Sequence, residues 1–69
     1  MRITLSKHAK KRAQQRKIAP AWIEETIKQP DILTREQQKY YARKKHNGLT
    51  LEVIYVKERD IKVVTLYPI

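Results

Sequence analysis

The stretch Tyr40-Tyr41-Ala42-Arg43-Lys44-Lys45-His46-Asn47-Gly48-Leu49-Thr50-Leu51-Glu52-Val53-Ile54-Tyr55-Val56 decides the fold. Asn-Gly is a strong signal for a two-residue hairpin turn, because both turn residues must adopt positive φ. It separates two runs that suit strands, Tyr40–Lys45 and Leu49–Val56. Lys57-Glu58-Arg59-Asp60 then turns the chain into Ile61–Tyr67, which is rich in β-branched residues. Three consecutive strands joined by short turns must form an antiparallel meander.

The chain before this meander reads differently. Met1–Leu5 alternates apolar and polar residues and suits a short strand, and Ile32–Thr34 suits another. Residues 6–29 repeat at helical spacing. Ser6 is a good N-cap for a helix over about residues 7–17. Pro20 fits the first turn of a second helix, and Pro30 stops it. Ile23 and Ile27, four apart, mark its buried face, flanked by Trp22. One sheet face needs covering, and these helices are the only material for it. The expected architecture is a single α+β domain over residues 1–69, β-α-α-β-β-β, with both helices on one face of a mainly antiparallel sheet.

Size and charge bound what such a domain can be. A chain of 69 residues builds one core and buries only roughly 60% of its unfolded surface. It has no cysteine, so disulfides contribute nothing. Sixteen Lys and Arg against seven Asp and Glu leave a net charge of +9. Such an excess concentrates polyanions at the surface, with RNA the first expectation and an acidic protein the second. His8 and His46 are far apart, and the acids form no calcium-type cluster, so no metal or cofactor is expected. No apolar run approaches the roughly 20 residues needed to cross a bilayer, and the expected location is the cytoplasm.

The first helix sorts its cations. At about 100° per residue, with His8 at the origin, Arg12 falls near 40° and Arg16 near 80°. Ala9 and Ala13 lie beside this stripe, while Lys7, Lys10, Lys11 and Lys17 occupy the opposite arc. Guanidinium groups, which bind phosphate or carboxylate in a fixed bidentate geometry, thus border the apolar face. The ammonium groups act as diffuse charge on the solvent side. An alternative is structural: Arg12 and Arg16 pair with carboxylates such as Glu52, and His8 helps to cap the helix.

Two further clusters carry chemistry. Alternation along Ile61–Tyr67 places Ile61, Val63, Thr65 and Tyr67 on one face and Lys62, Val64 and Leu66 on the other. Thr65 and Tyr67 therefore bring two hydroxyls together, either for chemistry or for amphipathic packing. Tyr40 and Tyr41 precede Arg43-Lys44-Lys45-His46, interleaving rings with cations as RNA-binding surfaces do. Tyr41, Arg43, Lys44 and Lys45, with Lys10 and Lys11, are the expected nucleic-acid contacts; a charged arm that blunts an edge strand is the alternative.

The run Ser6-Lys7-His8-Ala9-Lys10-Lys11-Arg12-Ala13-Gln14-Gln15-Arg16-Lys17-Ile18 and the later Gln29-Pro30-Asp31 resemble a widespread bacterial group of small domains of unassigned function. Their pattern is H-A-x-x-R-x-x-x-R-x-I, a second helix, and N/Q-P-D. The ending Val63-Val64-Thr65-Leu66-Tyr67-Pro68 resembles that group's closing V-x-T-V/L-Y-P. The group is similar to RelE- and BrnT-type toxins and to the wider barnase–EndoU–colicin–RelE nucleases. That resemblance implies a RelE-like helical pair on an antiparallel sheet and metal-independent RNA cleavage. It maps His8, Arg12 and Arg16 onto the helix motif and Thr65 and Tyr67 onto the strand motif. Two positions depart from the group: Lys17 stands where Gly is usual, and Ala19 where Ser or Thr is usual.

The functional expectation is an endoribonuclease toxin of a toxin–antitoxin pair, with RNA as substrate and a small antitoxin protein as partner. RNA supplies its own nucleophile, the 2′-hydroxyl, so the protein must move protons and stabilise phosphate charge. His8 is the proton carrier, Arg12 and Arg16 hold the phosphate, Tyr67 orients or donates a proton, and Thr65 adds a hydrogen bond. The rival expectation is a basic module of the same fold that binds nucleic acid or protein without catalysis.

Overall fold

A computed structural model describes residues 2–69. The elements run β1 (Ile3–Leu5), α1 (Lys7–Gln15), α2 (Pro20–Lys28), β2 (Ile32–Glu36), β3 (Lys39–His46), β4 (Leu49–Lys57) and β5 (Ile61–Pro68). They form one five-stranded sheet in the order β1-β5-β4-β3-β2, with α1 packed on β5 and β1 and α2 on β4 and β3. The β2–β3, β3–β4 and β4–β5 pairs are antiparallel; β1 joins β5 in parallel, Ile3 beside Ile61 and Leu5 beside Val63. The α+β class and the helices on one sheet face are as the sequence implies. Met1, included in the expected first strand, lies outside the described residues.

The sheet holds one strand more than β-α-α-β-β-β. Ile32–Glu36 pairs with β3 along its whole length. The turn between them has no glycine: Gln37 adopts φ 58 in its place. Glycine is the residue that usually supplies positive φ, so this hairpin carries no compositional flag. At the next hairpin Asn47 (φ 47) and Gly48 (φ 87) both lie in the left-handed region, as a tight two-residue turn requires.

The core lies between the helices and the sheet. Ala9, Ile18, Ile23 and Ile27 meet Ala42, Leu51, Val53, Tyr55, Ile61, Val63 and Leu66. Leu51, Val53, Val63 and Leu66 are fully buried, each contributing about 1.5–3 kcal/mol through apolar burial. Polar contacts fasten α2 to the end of β3. The His46 ring, only 6% exposed, stacks on Trp22 at 4.9 Å, with Nε2 2.8 Å from the Thr26 hydroxyl. Thr26 spends its own proton on the Trp22 carbonyl at 2.7 Å, so the 2.8 Å contact is a donation from His46. Nδ1 of His46 faces Glu25 at 3.6 Å.

Two local features set the path of α1. Helix α1 closes with the amide of Ile18 donating to the Ala13 carbonyl (2.9 Å) and that of Lys17 to the Gln14 carbonyl (3.2 Å). This paired pattern demands a left-handed residue, and Lys17 takes it at φ 53. In β5, Ile54 pairs with Thr65 while its neighbour Tyr55 pairs with Val63, so Val64 is an unpaired bulge. The Ser6 hydroxyl donates to the Val64 carbonyl at 2.8 Å and accepts from the Ala9 amide at 3.1 Å. One side chain thus caps α1 and ties its first turn to the bulge.

Candidate functional site

The bulge changes which residues of β5 share a face. An extra residue reverses the alternation beyond it. Ile61 and Val63 point to the helices, and past Val64 so do Leu66 and Pro68, opposite Val53 and Leu51. Thr65 and Tyr67 do share a face, but with Lys62 on the open side rather than with Ile61 and Val63. The sequence alternation, lacking the bulge, misassigned their companions.

The open side carries a polar row across three strands. Tyr67 of β5, Glu52 of β4 and Arg43 of β3 are successive cross-strand partners. Glu52 is 7% exposed, an unusual place for a carboxylate on an open sheet face. Its charge is matched by hydrogen bonds: Tyr67 donates to Oε1 at 2.5 Å, and Arg43 donates to Oε2 through Nη2 at 2.9 Å and Nε at 3.3 Å. Burial pushes the Glu52 carboxyl upward, but the Tyr67 hydroxyl and the Arg43 guanidinium outweigh it and hold it below the usual range. The hydrogen bond to Glu52, with burial second, raises the Tyr67 phenol above its ordinary value. Tyr67 is therefore a neutral donor, and Arg43, still 44% exposed at its side chain, keeps part of its guanidinium toward solvent.

Other sequence candidates surround this row. Thr65, Ile54 and Tyr41 form the adjacent row, and Lys39, Lys45 and Lys62 lie on the same face by register. Lys44 does not belong there. Strand alternation turns it to the helix side, where Nζ donates to the Gln29 carbonyl at 2.9 Å and lies 3.7 Å from Asp31. Its role is to fasten the end of α2.

The helix stripe is separate. His8 and Arg16 are exposed and Arg12 is half-buried. None of the three has a side-chain hydrogen bond or ion pair among the described residues, and none contacts Thr65 or Tyr67 through one. The alternative in which Arg12 or Arg16 neutralises Glu52 is overturned, because Arg43 and Tyr67 occupy that carboxylate. The two halves meet indirectly: Ser6 binds the first turn of α1, which carries His8, to Val64, the residue before Thr65. Lys10 and Lys11 are exposed on α1. Lys10 also borders an apolar groove of about 510 Å³ between β1 and the helices. Among the described residues no three His, Asp or Glu side chains are grouped to hold a metal ion, and no helix is long and apolar enough to cross a membrane.

Glu52 entered the sequence reading only as a structural partner for Arg12 and Arg16, not as a site residue, although its place was within reach. A two-residue Asn47-Gly48 turn pairs His46 with Leu49, and counting outward pairs Arg43 with Glu52. An acid opposite an arginine in the middle of a meander is the signal.

The fold and these features define a small basic α+β domain with an open, polar sheet face. Residues 5–68 match a domain of unknown function, DUF4258, and the chain belongs to that family. No curated protein and no solved structure matches it.

Proposed function

We propose that this chain binds RNA around the β5 edge, between the open sheet face and the first turn of α1, and cleaves it as a metal-independent endoribonuclease, in the manner of a toxin held in check by an acidic antitoxin. The observation that carries the reading is the β5 edge at Thr65: β1 pairs with β5 only as far as Val63, so beyond it the α1 side and the open side of the sheet adjoin. The Arg43–Glu52–Tyr67 row lies beside it on the sheet, and Ser6 ties the His8 turn to the residue before it. His8, exposed and without a side-chain partner among the described residues, accepts the 2′-hydroxyl proton as that oxygen attacks phosphorus. Tyr67, whose one hydroxyl proton goes to Glu52 in the free chain, turns on RNA binding to donate it to the departing 5′-oxygen or to a phosphate oxygen, while Arg43 keeps the Glu52 charge matched. Arg12, Arg16 and the free side of Arg43 supply cations that stabilise the negative charge developing on the phosphorane. The products are a 2′,3′-cyclic phosphate and a 5′-hydroxyl, with no water consumed in this step.

A second reading is a binding module without catalysis. It is favoured by one observation: both Glu52 oxygens are engaged, so Arg43 and Tyr67 meet a ligand already partnered. Expressing wild type and His8→Ala in a bacterial host separates the two. The enzyme arrests growth with fragmented RNA and His8→Ala does not; a binding module leaves RNA intact in both.

A further inference from the structure

A second aromatic feature lies at the far end of the sheet, on its helix side. Tyr55, Tyr40 and Arg35 are successive cross-strand partners on β4, β3 and β2. The two tyrosine rings stack at 5.1 Å between centroids and 11° between planes. The Arg35 guanidinium lies over the outer ring of this pair, 5.2 Å from the Tyr40 centroid. Its Nε donates to the Gln37 carbonyl at 3.1 Å, which fixes the plane from the turn. The clasp of α2 on the sheet is at the opposite end of β3, at His46. Because β2 is the last strand of the sheet, no strand lies beyond Arg35.

We propose that this ladder is a nucleobase slot, in which one base of single-stranded RNA stacks on the outer face of the Arg35 guanidinium, itself backed by Tyr40 and Tyr55. The inference rests on the RNA reading above and names the form of RNA recognised. An open cavity of about 440 Å³ adjoins the ladder, lined by Arg35, Gln38, Tyr40, Val56, Lys57 and Glu58. Its chemistry matches a nucleotide. A guanidinium backed by stacked rings presents a flat, cationic surface to a π-face. Gln38 and Glu58 offer hydrogen bonds to exocyclic amino and imino groups. Lys57 offers a cation to the adjoining phosphate. Duplex RNA hides its π-faces within the helix, so the slot selects unpaired strands.

Arg35→Lys isolates the stacking, because lysine keeps the charge and loses the planar face. The probes are a short 2′-O-methyl oligoadenylate, which lacks the attacking hydroxyl, and an abasic oligomer of equal length and charge. Wild type is expected to bind the base-bearing strand about tenfold more tightly, a typical contribution for one stacked base. Arg35→Lys is expected to bind both strands alike, with its affinity for the abasic strand unchanged. Equal binding of both strands by wild type, or a preference that survives in Arg35→Lys, overturns the slot and leaves the RNA reading standing. Failure of wild type to bind either strand overturns both.

Discussion

The Tyr67 hydroxyl donates to the buried Glu52 carboxylate across two neighbouring strands, at 2.5 Å. Against the upward pull of burial, this contact and the Arg43 guanidinium together hold the carboxyl below its ordinary range, and the contact raises the phenol. A carboxyl lowered in the fold contributes stability that is present above its unfolded value, about 4.3. That contribution is lost as pH falls through the lower folded value. A phenol raised in the fold contributes below its unfolded value, about 10, and that contribution fades as pH rises through the folded value. Urea unfolding from pH 7 to 2 is expected to show wild type losing stability below about pH 4.3, with a flatter acid limb in Glu52→Gln. Equal acid limbs in the two proteins would contradict the coupling.

Lys17 marks a place where the chain carries avoidable strain. It closes α1 at φ 53, a conformation that costs a side-chain-bearing residue roughly 1 kcal/mol relative to glycine. Lys17→Gly is therefore expected to stabilise by about 1 kcal/mol and to raise the melting temperature by about 4–8 °C. Ala19, the N-cap of α2, makes no side-chain capping bond. Ala19→Ser is expected to add about 1 kcal/mol in the same melts.

Much of the fold is legible in the sequence because its signals are local. Ser6, Pro20 and Asn47-Gly48 each act within a few residues, and each marks its boundary. Ile32–Thr34 was read as a strand, but its extension to Glu36 and the Val64 bulge are less legible for the same reason. One depends on a turn closed by Gln37, the other on an extra residue that pairing alone exposes. The site was legible in its parts. Thr65, Tyr67, Arg43 and His8 were named from residue type and spacing. Lys44 was grouped with Arg43 and Lys45, since charge runs do not tell one strand face from the other, and the role of Glu52 needed the hairpin register to be counted through.

The Thr26–His46 bond makes a separable stability claim. Thr26 is fully buried, and its hydroxyl both donates to Trp22 and accepts from His46. Thr26→Val keeps the shape and leaves the imidazole N–H without its acceptor. Chemical denaturation is expected to show a loss of about 1–3 kcal/mol, a large share of the stability of so small a domain. A change below 0.5 kcal/mol, the ordinary range for a surface substitution, would contradict the proposed clasp.

RNA held through phosphates must respond to salt. Affinity for a single strand is expected to fall with a log–log slope of about −0.7 for each phosphate neutralised. Lys45→Ala, on the open face, is expected to reduce that slope, whereas Lys44→Ala, on the helix side, is expected to lower stability instead. Fluorescence anisotropy across a salt series, beside melts of the same variants, checks both.

Cleavage of single-stranded RNA by the purified chain in a metal chelator tests the central claim most directly. Wild type is expected to generate 2′,3′-cyclic phosphate and 5′-hydroxyl ends. His8→Ala is expected to slow the reaction by about 10²–10⁴-fold, the usual weight of a general acid or base, while binding RNA with nearly unchanged affinity and melting as wild type does. Tyr67→Phe is expected to lose rate likewise. Wild type that binds RNA without cutting it, or a His8→Ala variant that cuts at the wild-type rate, would contradict the account.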